Sequence, residues 1–210
     1  KTVGLPVAPV EILDIEDMQV FSIERYDRVV SGEHIQRLHQ EDFCQALGIA
    51  SEMKYQNEGG VSLKQAFNLL RSVSTVPAID LQHLLNAVIF NFMIGNHDAH
   101  GKNFSLLYID GQTRLAPFYD LLCTVYYPAL ASRMAMKIGG EYKSEDIYPR
   151  HFEKFADEAG LSKPMVLKQV SAIADKILRS LEAIETETPA SSKLAAFIRE
   201  RVKRLKERFD

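Results

Sequence analysis

Apolar positions along this chain recur with two different periods, and the switch between them marks out its elements. Leu81, Leu84, Leu85, Val88, Ile89, Phe92 and Met93 return every three to four residues behind Pro77 and Asp80, which predicts one long helix. That helix is apolar nearly all round, so it is expected to be buried and to stop at Gly95. Asn86 and Asn91 within it then need buried partners or one exposed side. Shorter helices are predicted over Gln40 to Leu47, capped by Gly48, and from Leu63 to about Arg71 behind Ser62 as N-cap. The last third reads as helical: His151 to Ala159, Lys163 to about Ile184 and Lys193 to Phe209, with Gly160 and Pro189 near the breaks.

Period-two runs are fewer. Gly4 to Pro9, with two prolines, is a turn or an extended lead-in; Val10 to Leu13 and Val20 to Glu24 then flank the acidic turn Asp14 to Asp17 as an antiparallel pair. Ser31 to Leu38 reads as loop. Lys54 to Gly60 is an irregular polar loop whose paired glycines mark either a connector or a backbone approaching a ligand. Phe104 to Ile109 is a strand, Asp110-Gly111 is a strong hairpin-turn signal, and Thr113 to Ala116 returns. Leu121 to Tyr127 is mostly apolar, and Ala135 to Gly140 reads as a short strand and turn. The fold class expected is α+β, mostly helical.

Between the long helix and the hairpin lies a stretch that folding alone does not require. Gly95 to Asn103 holds two His, one Asp, two Asn and one Lys. Antiparallel pairing around Asp110-Gly111 folds Asn103 back opposite Pro117 to Asp120, so Asp98, Asn103 and Asp120 are expected at one end of the hairpin. Two carboxylates and one carboxamide oxygen suit a hard cation such as Mg2+. An Asp, an Asn five residues later and a second Asp on the next strand is also the order of parts in protein kinases. There the first Asp is the base for the attacking hydroxyl, and the other two hold metal on the ATP phosphates. The usual tripeptides are replaced by Asn96-His97-Asp98 and Tyr119-Asp120-Leu121, so this is not an ordinary eukaryotic-type kinase.

Composition narrows the setting. The 210 residues are 46% hydrophobic and 25% charged, ordinary values for a folded chain, and the length admits one domain or a domain with a helical appendage. A net charge of −3 and a pI near 6.1 carry no general basic footprint for nucleic acid, so any DNA contact is local or made by a partner. Ala190 to Asp210 carries seven Lys or Arg against three acids, either a solvated helix face or a local contact surface. Cys44 and Cys123 have no metal-type spacing and are expected as buried free thiols in a reducing, cytoplasmic compartment. No apolar run approaches the roughly 18 residues of a membrane span. The N-terminus lacks signal-peptide regions and begins without Met, so the sequence is expected to start within a longer polypeptide.

Gly95 to Ser105 and Leu115 to Leu121 together resemble the catalytic core of the HipA family, the kinase toxins of bacterial toxin–antitoxin pairs. Ser22 to Arg28, Arg37 to Gly48 and Lys54 to Gly60 agree, and the resemblance covers roughly Gly4 to Tyr127, more loosely the helical remainder. It implies the C-terminal lobe of a protein-kinase-like fold, with a short antiparallel hinge region and a catalytic β-hairpin. Residues 1–28 would end the N-lobe and form the hinge, and 29–210 would form a helical C-lobe carrying the catalytic loop at 95–120. The cofactors implied are ATP and Mg2+, with Asp98 as base and Asn103 and Asp120 on the metal. Glu24, Arg25 and Tyr26 resemble the hinge that meets adenine, with backbone groups of Glu24 and Tyr26 facing the base. His100, Gly101, Lys102, Asn103, Tyr119 and Asp120 complete the nucleotide site. His100 is either a donor to the terminal phosphate or a structural donor, Lys102 either a phosphate partner or a surface charge, and Tyr119 either a nucleotide contact or core. The implied substrate is a cytosolic protein, an aminoacyl-tRNA synthetase among the candidates, and the implied partner is a helix-turn-helix antitoxin that binds operator DNA.

Two other classes stay open. His97-Asp98 is similar to the dyad of HD-type phosphohydrolases, with His83 as an upstream ligand, although loop and hairpin follow it where that site needs helix. A non-catalytic or split-kinase module is the other, because HipA-like kinases carry a Gly-rich phosphate loop and an ATP-binding Lys upstream of the segment matching Gly4, and neither precedes Val10.

Overall fold

The computed structural model describes residues 2–130, 132–183 and 189–209. Helix α3, Pro77–Ile94, lies at the centre, against α2 (Leu63–Val73), α5 (Lys163–Ala183) and α6 (Pro189–Lys206). Leu84, Leu85, Val88, Ile89, Phe92 and Met93 are all buried, as the apolar circumference required. Helix α4, Pro149–Ala159, adds Phe152 and Phe155, which meet Phe92 and Phe67 edge-on at 5.3 and 5.5 Å. Each such burial stabilises the fold by roughly 1.5–3 kcal/mol. Asn91 accepts from the Asn96 amide at 3.1 Å, and Asn86 accepts from Gln82 and Gln169 at 2.9 and 2.7 Å, so both polar residues of α3 have partners.

The hairpin forms at the expected turn. Strands β6 (Ser105–Ile109) and β7 (Gln112–Leu115) pair in the register Leu106↔Leu115 to Ile109↔Gln112, with Asp110 and Gly111 at φ 49° and 73°. Asp80, at the start of α3 and fully buried, anchors β7 by accepting from Arg114 Nη2 (3.1 Å), the Leu115 amide (3.0 Å) and Ser74 (2.6 Å). Burial pushes its carboxyl up, and the bonds from Arg114, Ser74 and Leu115 outweigh that, leaving it below the ordinary value.

Several expectations fail locally. Gln40 to Leu47 is not one helix: β5, His39–Asp42, pairs antiparallel with β6 and makes a sheet ordered β5-β6-β7, and only Phe43–Ala46 is helical (α1). Asp42 explains the late start, because its side chain caps the Gln45 amide while Gln45 returns a bond to the Asp42 amide. Ser31 to Leu38 is not loop either. Strands β3 (Arg28–Ser31) and β4 (His34–Arg37) pair across Gly32, which takes φ 59°, and the β-branched pair Val30↔Ile35 supports them. The first hairpin runs longer than expected, β1 Val10–Ile15 with β2 Met18–Ile23, its turn tightened to Glu16-Asp17. The strand expected in Ala135 to Gly140 reduces to one bridge, Ile138↔Glu141, around two glycines with positive φ. Helices α4 and α6 begin at prolines, which favour the first helical position, two and four residues before the expected starts. The expected end of α5 at Ile184 lies outside the described residues. Cys44 and Cys123 are both buried and free.

Candidate active site

Gly95 ends α3 in the left-handed region, φ 81°, with its amide bonded to Asn91 and Phe92 carbonyls. A Cβ there would lie 2.2 Å from Val125, so glycine is required both by conformation and by contact. The polar loop that follows is tied down on three sides. Thr124 Oγ1 accepts from the His97 amide at 2.8 Å and donates to the Gly95 carbonyl at 3.1 Å. His97 Nε2 lies 2.8 Å from Ser144 Oγ, and its carbonyl accepts from Ala135 at 2.8 Å. His97 therefore holds the loop. Asn96 donates to the Asp120 carbonyl at 3.0 Å and accepts from the Asp98 amide at 3.2 Å, so one side chain links the two aspartates.

Asn103 and Asp120 meet: the Asn103 Nδ2 donates to Asp120 Oδ2 at 2.7 Å, across 17 residues of chain. Asn103 Oδ1 also accepts from the His100 amide at 2.9 Å, which closes the short helical turn Gly101–Asn103. Asp120 is exposed, and its backbone takes the unusual φ of 57° for a residue with a side chain, a strain often found at functional positions. Asp98 is half-buried, and its Oδ1 accepts from the Tyr55 hydroxyl at 2.7 Å. His100 is buried, with Nδ1 lacking a hydrogen-bond partner. Burial lowers its pKa against the pull of nearby Asp98, so its ring is neutral at pH 7. Gly101 is buried where a Cβ would come within 2.5 Å of Val61 and 3.0 Å of Cys44.

Tyr119 belongs to the same end of the hairpin. Its hydroxyl donates to the Lys102 carbonyl at 2.8 Å and lies 2.8 Å from Ser105 Oγ; burial pushes its pKa far up, so it stays protonated. Tyr26 stacks on it at 6.1 Å and donates to Gln40, which brings the segment after β2 to the hairpin. Glu24 and Arg25, the other residues expected at the hinge, are engaged locally. Glu24 donates its amide to Pro9 at 2.9 Å, and the exposed Arg25 guanidinium binds Asp27 at 2.8 and 2.9 Å.

The oxygen donors fit Mg2+, which prefers one or two carboxylates with water and phosphate oxygens. Asp120 supplies a solvent-facing carboxylate; Asn103 turns its amide nitrogen to it and its oxygen to the His100 amide, so that oxygen would join a metal only through its second lone pair or after a turn of the amide. Sequence reasoning gave no role to Tyr55, Asn96, Thr124, Ser144 or Arg201. Arg201, 4% exposed, donates to the α3 carbonyls of Phe92 and Met93, each at 3.2 Å, and to Ser144 at 3.0 Å. The sequence signals were the polar stretch that holds Asn96, the polar loop around Tyr55 and the Arg-rich C-terminal helix.

The model of the HipA-like C-terminal domain family matches residues 1–184. Y4mE of Sinorhizobium fredii, provisionally named a kinase, is 44% identical over 187 residues, or 89% of this chain and 44% of that protein. The serine/threonine-protein kinase toxin HipA of Shewanella oneidensis is 30% identical over 212 residues, or 94% of this chain and 49% of that protein. The chain thus spans about half the length of these curated relatives. A chain of the solved Shewanella oneidensis complex of HipA, HipB and operator DNA superposes with a TM-score of 0.88 at 26% identity, covering 99% of this chain and 52% of that one. The Helicobacter pylori proinflammatory kinase CtkA superposes with a TM-score of 0.63 at 12% identity, covering 99% and 78%, a likeness of fold alone. With the family model spanning most of its length and its relatives named as kinases, the chain belongs to the HipA-like C-terminal domain family.

Proposed function

We propose that the chain is the catalytic lobe of a serine/threonine protein kinase that transfers the terminal phosphoryl group of ATP to a protein hydroxyl with Mg2+. The observation that carries this reading is the 2.7 Å meeting of Asn103 and Asp120, tied through Asn96 to a half-buried Asp98. Phosphoryl transfer asks the protein for positioning and charge neutralisation more than for covalent chemistry. Asp98 takes the proton of the acceptor hydroxyl. Asn103 and Asp120 would hold Mg2+, which would supply charge neutralisation at the phosphates. His100 and Lys102 share the short turn that carries Asn103, and Gly101 lets that turn pack on Val61 and Cys44. Tyr26, stacked on Tyr119, aligns the hinge Glu24-Arg25-Tyr26 for adenine.

In this reading residues 1–28 finish an N-lobe and 29–210 form the C-lobe. The toxin role, a HipB-like antitoxin with operator DNA reached through it, and an aminoacyl-tRNA synthetase as acceptor belong to the same proposal. The HD-type hydrolase is disfavoured by position. His83 sits on α3 eleven residues before Ile94, about 16 Å along the axis at 1.5 Å per residue. Among the described residues no three His, Cys, Asp or Glu side chains gather as such a centre needs.

Titration calorimetry of the full-length encoded protein with Mg-ATP tests the assignment of roles. The account predicts magnesium-dependent binding that weakens at least about tenfold in Asp120→Ala and within about twofold of wild type in Asp98→Ala. No magnesium-dependent heat in the wild-type protein would favour a non-catalytic module.

A further inference from the structure

The loop from Lys54 to Gly60 is built around one contact with the site. Gly60 makes it possible: a Cβ there would fall 2.6–2.7 Å from the carbonyl oxygens of Met53, Lys54 and Tyr55, so only glycine lets these three residues wrap so tightly. The Gly60 amide closes the wrap on the Tyr55 carbonyl at 2.9 Å. Gln56 then pins the loop to the strip that also braces the catalytic loop. Its amide donates to the Ala135 carbonyl at 2.9 Å, its Oε1 accepts from Lys137 at 2.9 Å, and Ala135 in turn donates to His97. The result is a tyrosine delivered from 43 residues upstream to within 2.7 Å of Asp98.

We propose that Tyr55 is a positioning residue for the catalytic carboxylate: its hydroxyl holds Oδ1 of Asp98 and thereby turns Oδ2 to the acceptor hydroxyl. The inference rests on the proposed kinase reading and adds a residue to it. Three features favour a working contact over filler. The phenol edge meets the His100 ring at 5.9 Å, so Tyr55 touches both polar residues on either side of Ala99. Lys54 Nζ lies 4.8 Å over the phenol ring, and a cation there draws charge from the ring and strengthens O–H as a donor. The Asp98 carboxylate, followed by burial, raises the phenol pKa, so the donor stays protonated throughout the working pH range. A carboxylate fixed at one oxygen cannot rotate away from the acceptor, and loss of such positioning by about 1 Å costs up to about 100-fold in rate.

The test uses the full-length encoded protein and Tyr55→Phe, which removes one half-buried oxygen and keeps the ring. Phosphoryl transfer to an acceptor protein or peptide should fall about 10- to 100-fold in kcat, with KM for Mg-ATP within about twofold. The cycle with Asp98→Asn separates positioning from general loosening. In that background the tyrosine change should alter the residual rate less than about twofold, whereas a structural defect would lower it as much as in wild type. Unchanged kcat in Tyr55→Phe, or an equal loss in both backgrounds, would overturn the role of Tyr55 while leaving Asp98 as base. Full transfer activity in Asp98→Asn would remove the kinase reading itself.

Discussion

Asp27 shows what single residues contribute to this chain. It is buried just after β2, accepts from both Arg25 and Arg28, and has its carboxyl lowered to about 2, chiefly by the bond from Arg25. Its folded pKa lies below the model-peptide value of 3.8, so its contribution to stability is complete above pH 4 and disappears as pH falls toward 2. Because the Arg25 side chain is largely exposed, that contribution is about 1 kcal/mol after screening. Asp27→Asn should therefore lower stability by that amount at neutral pH and flatten the acid limb between pH 4 and 2, as read by urea unfolding across pH. A variant with the wild-type acid limb would contradict the pairing. The candidate site repeats the lesson with other residues: Asn96, a side chain with no obvious chemistry, bonds both to Asp98 and to Asp120.

The elements differ in how far the sequence revealed them, and the reason is the range of the forces that form them. Helix α3 and the β6–β7 hairpin rest on local patterns, an unbroken helical period and Asp110-Gly111, and both form where expected. The meeting of Asn103 with Asp120 followed from that hairpin. Strand β5 did not follow, since His39–Asp42 becomes strand only by pairing with β6 more than 60 residues away. The loop carrying Tyr55 was marked by its polarity, but its contact with Asp98 was not, the partner being 43 residues distant. Close packing of elements also fixes Gly101, pressed by Val61 and by Cys44 of α1. Gly101→Ala should destabilise the protein by about 1–3 kcal/mol through overpacking, with part of the loss recovered by Val61→Ala in the same chain. Thermal or urea unfolding of the two variants checks this, and a Gly101→Ala protein as stable as wild type would contradict the packing.

At the scale of the whole molecule, the helical core and the site form one continuous structure. Arg201 of α6 is buried on the last carbonyls of α3 and reaches Ser144, which in turn meets His97 in the polar loop. A cation at the carbonyl end of α3 also suits that helix's dipole. The basic excess of the C-terminal segment is partly paired within the chain: buried Arg201 and exposed Arg204 meet Glu145, and Lys206 meets Asp175. That favours the structural account of those charges over a nucleic-acid surface. The β1–β2 ribbon contrasts with the core. Ile12 and Phe21 share one face and are 61% and 66% exposed, while Leu13, Ile15 and Met18 are exposed as well. A two-stranded ribbon of this kind is marginal by itself.

The central claim is that a tight hairpin assembles Asp98, Asn103 and Asp120 into a phosphoryl-transfer site. Transfer of labelled terminal phosphate from ATP by the full-length encoded protein, compared with Asp98→Ala and Asp120→Ala, measures it most directly. The account predicts magnesium-dependent transfer by wild type and a loss of at least about 100-fold in each variant. Undiminished transfer in both variants would contradict it.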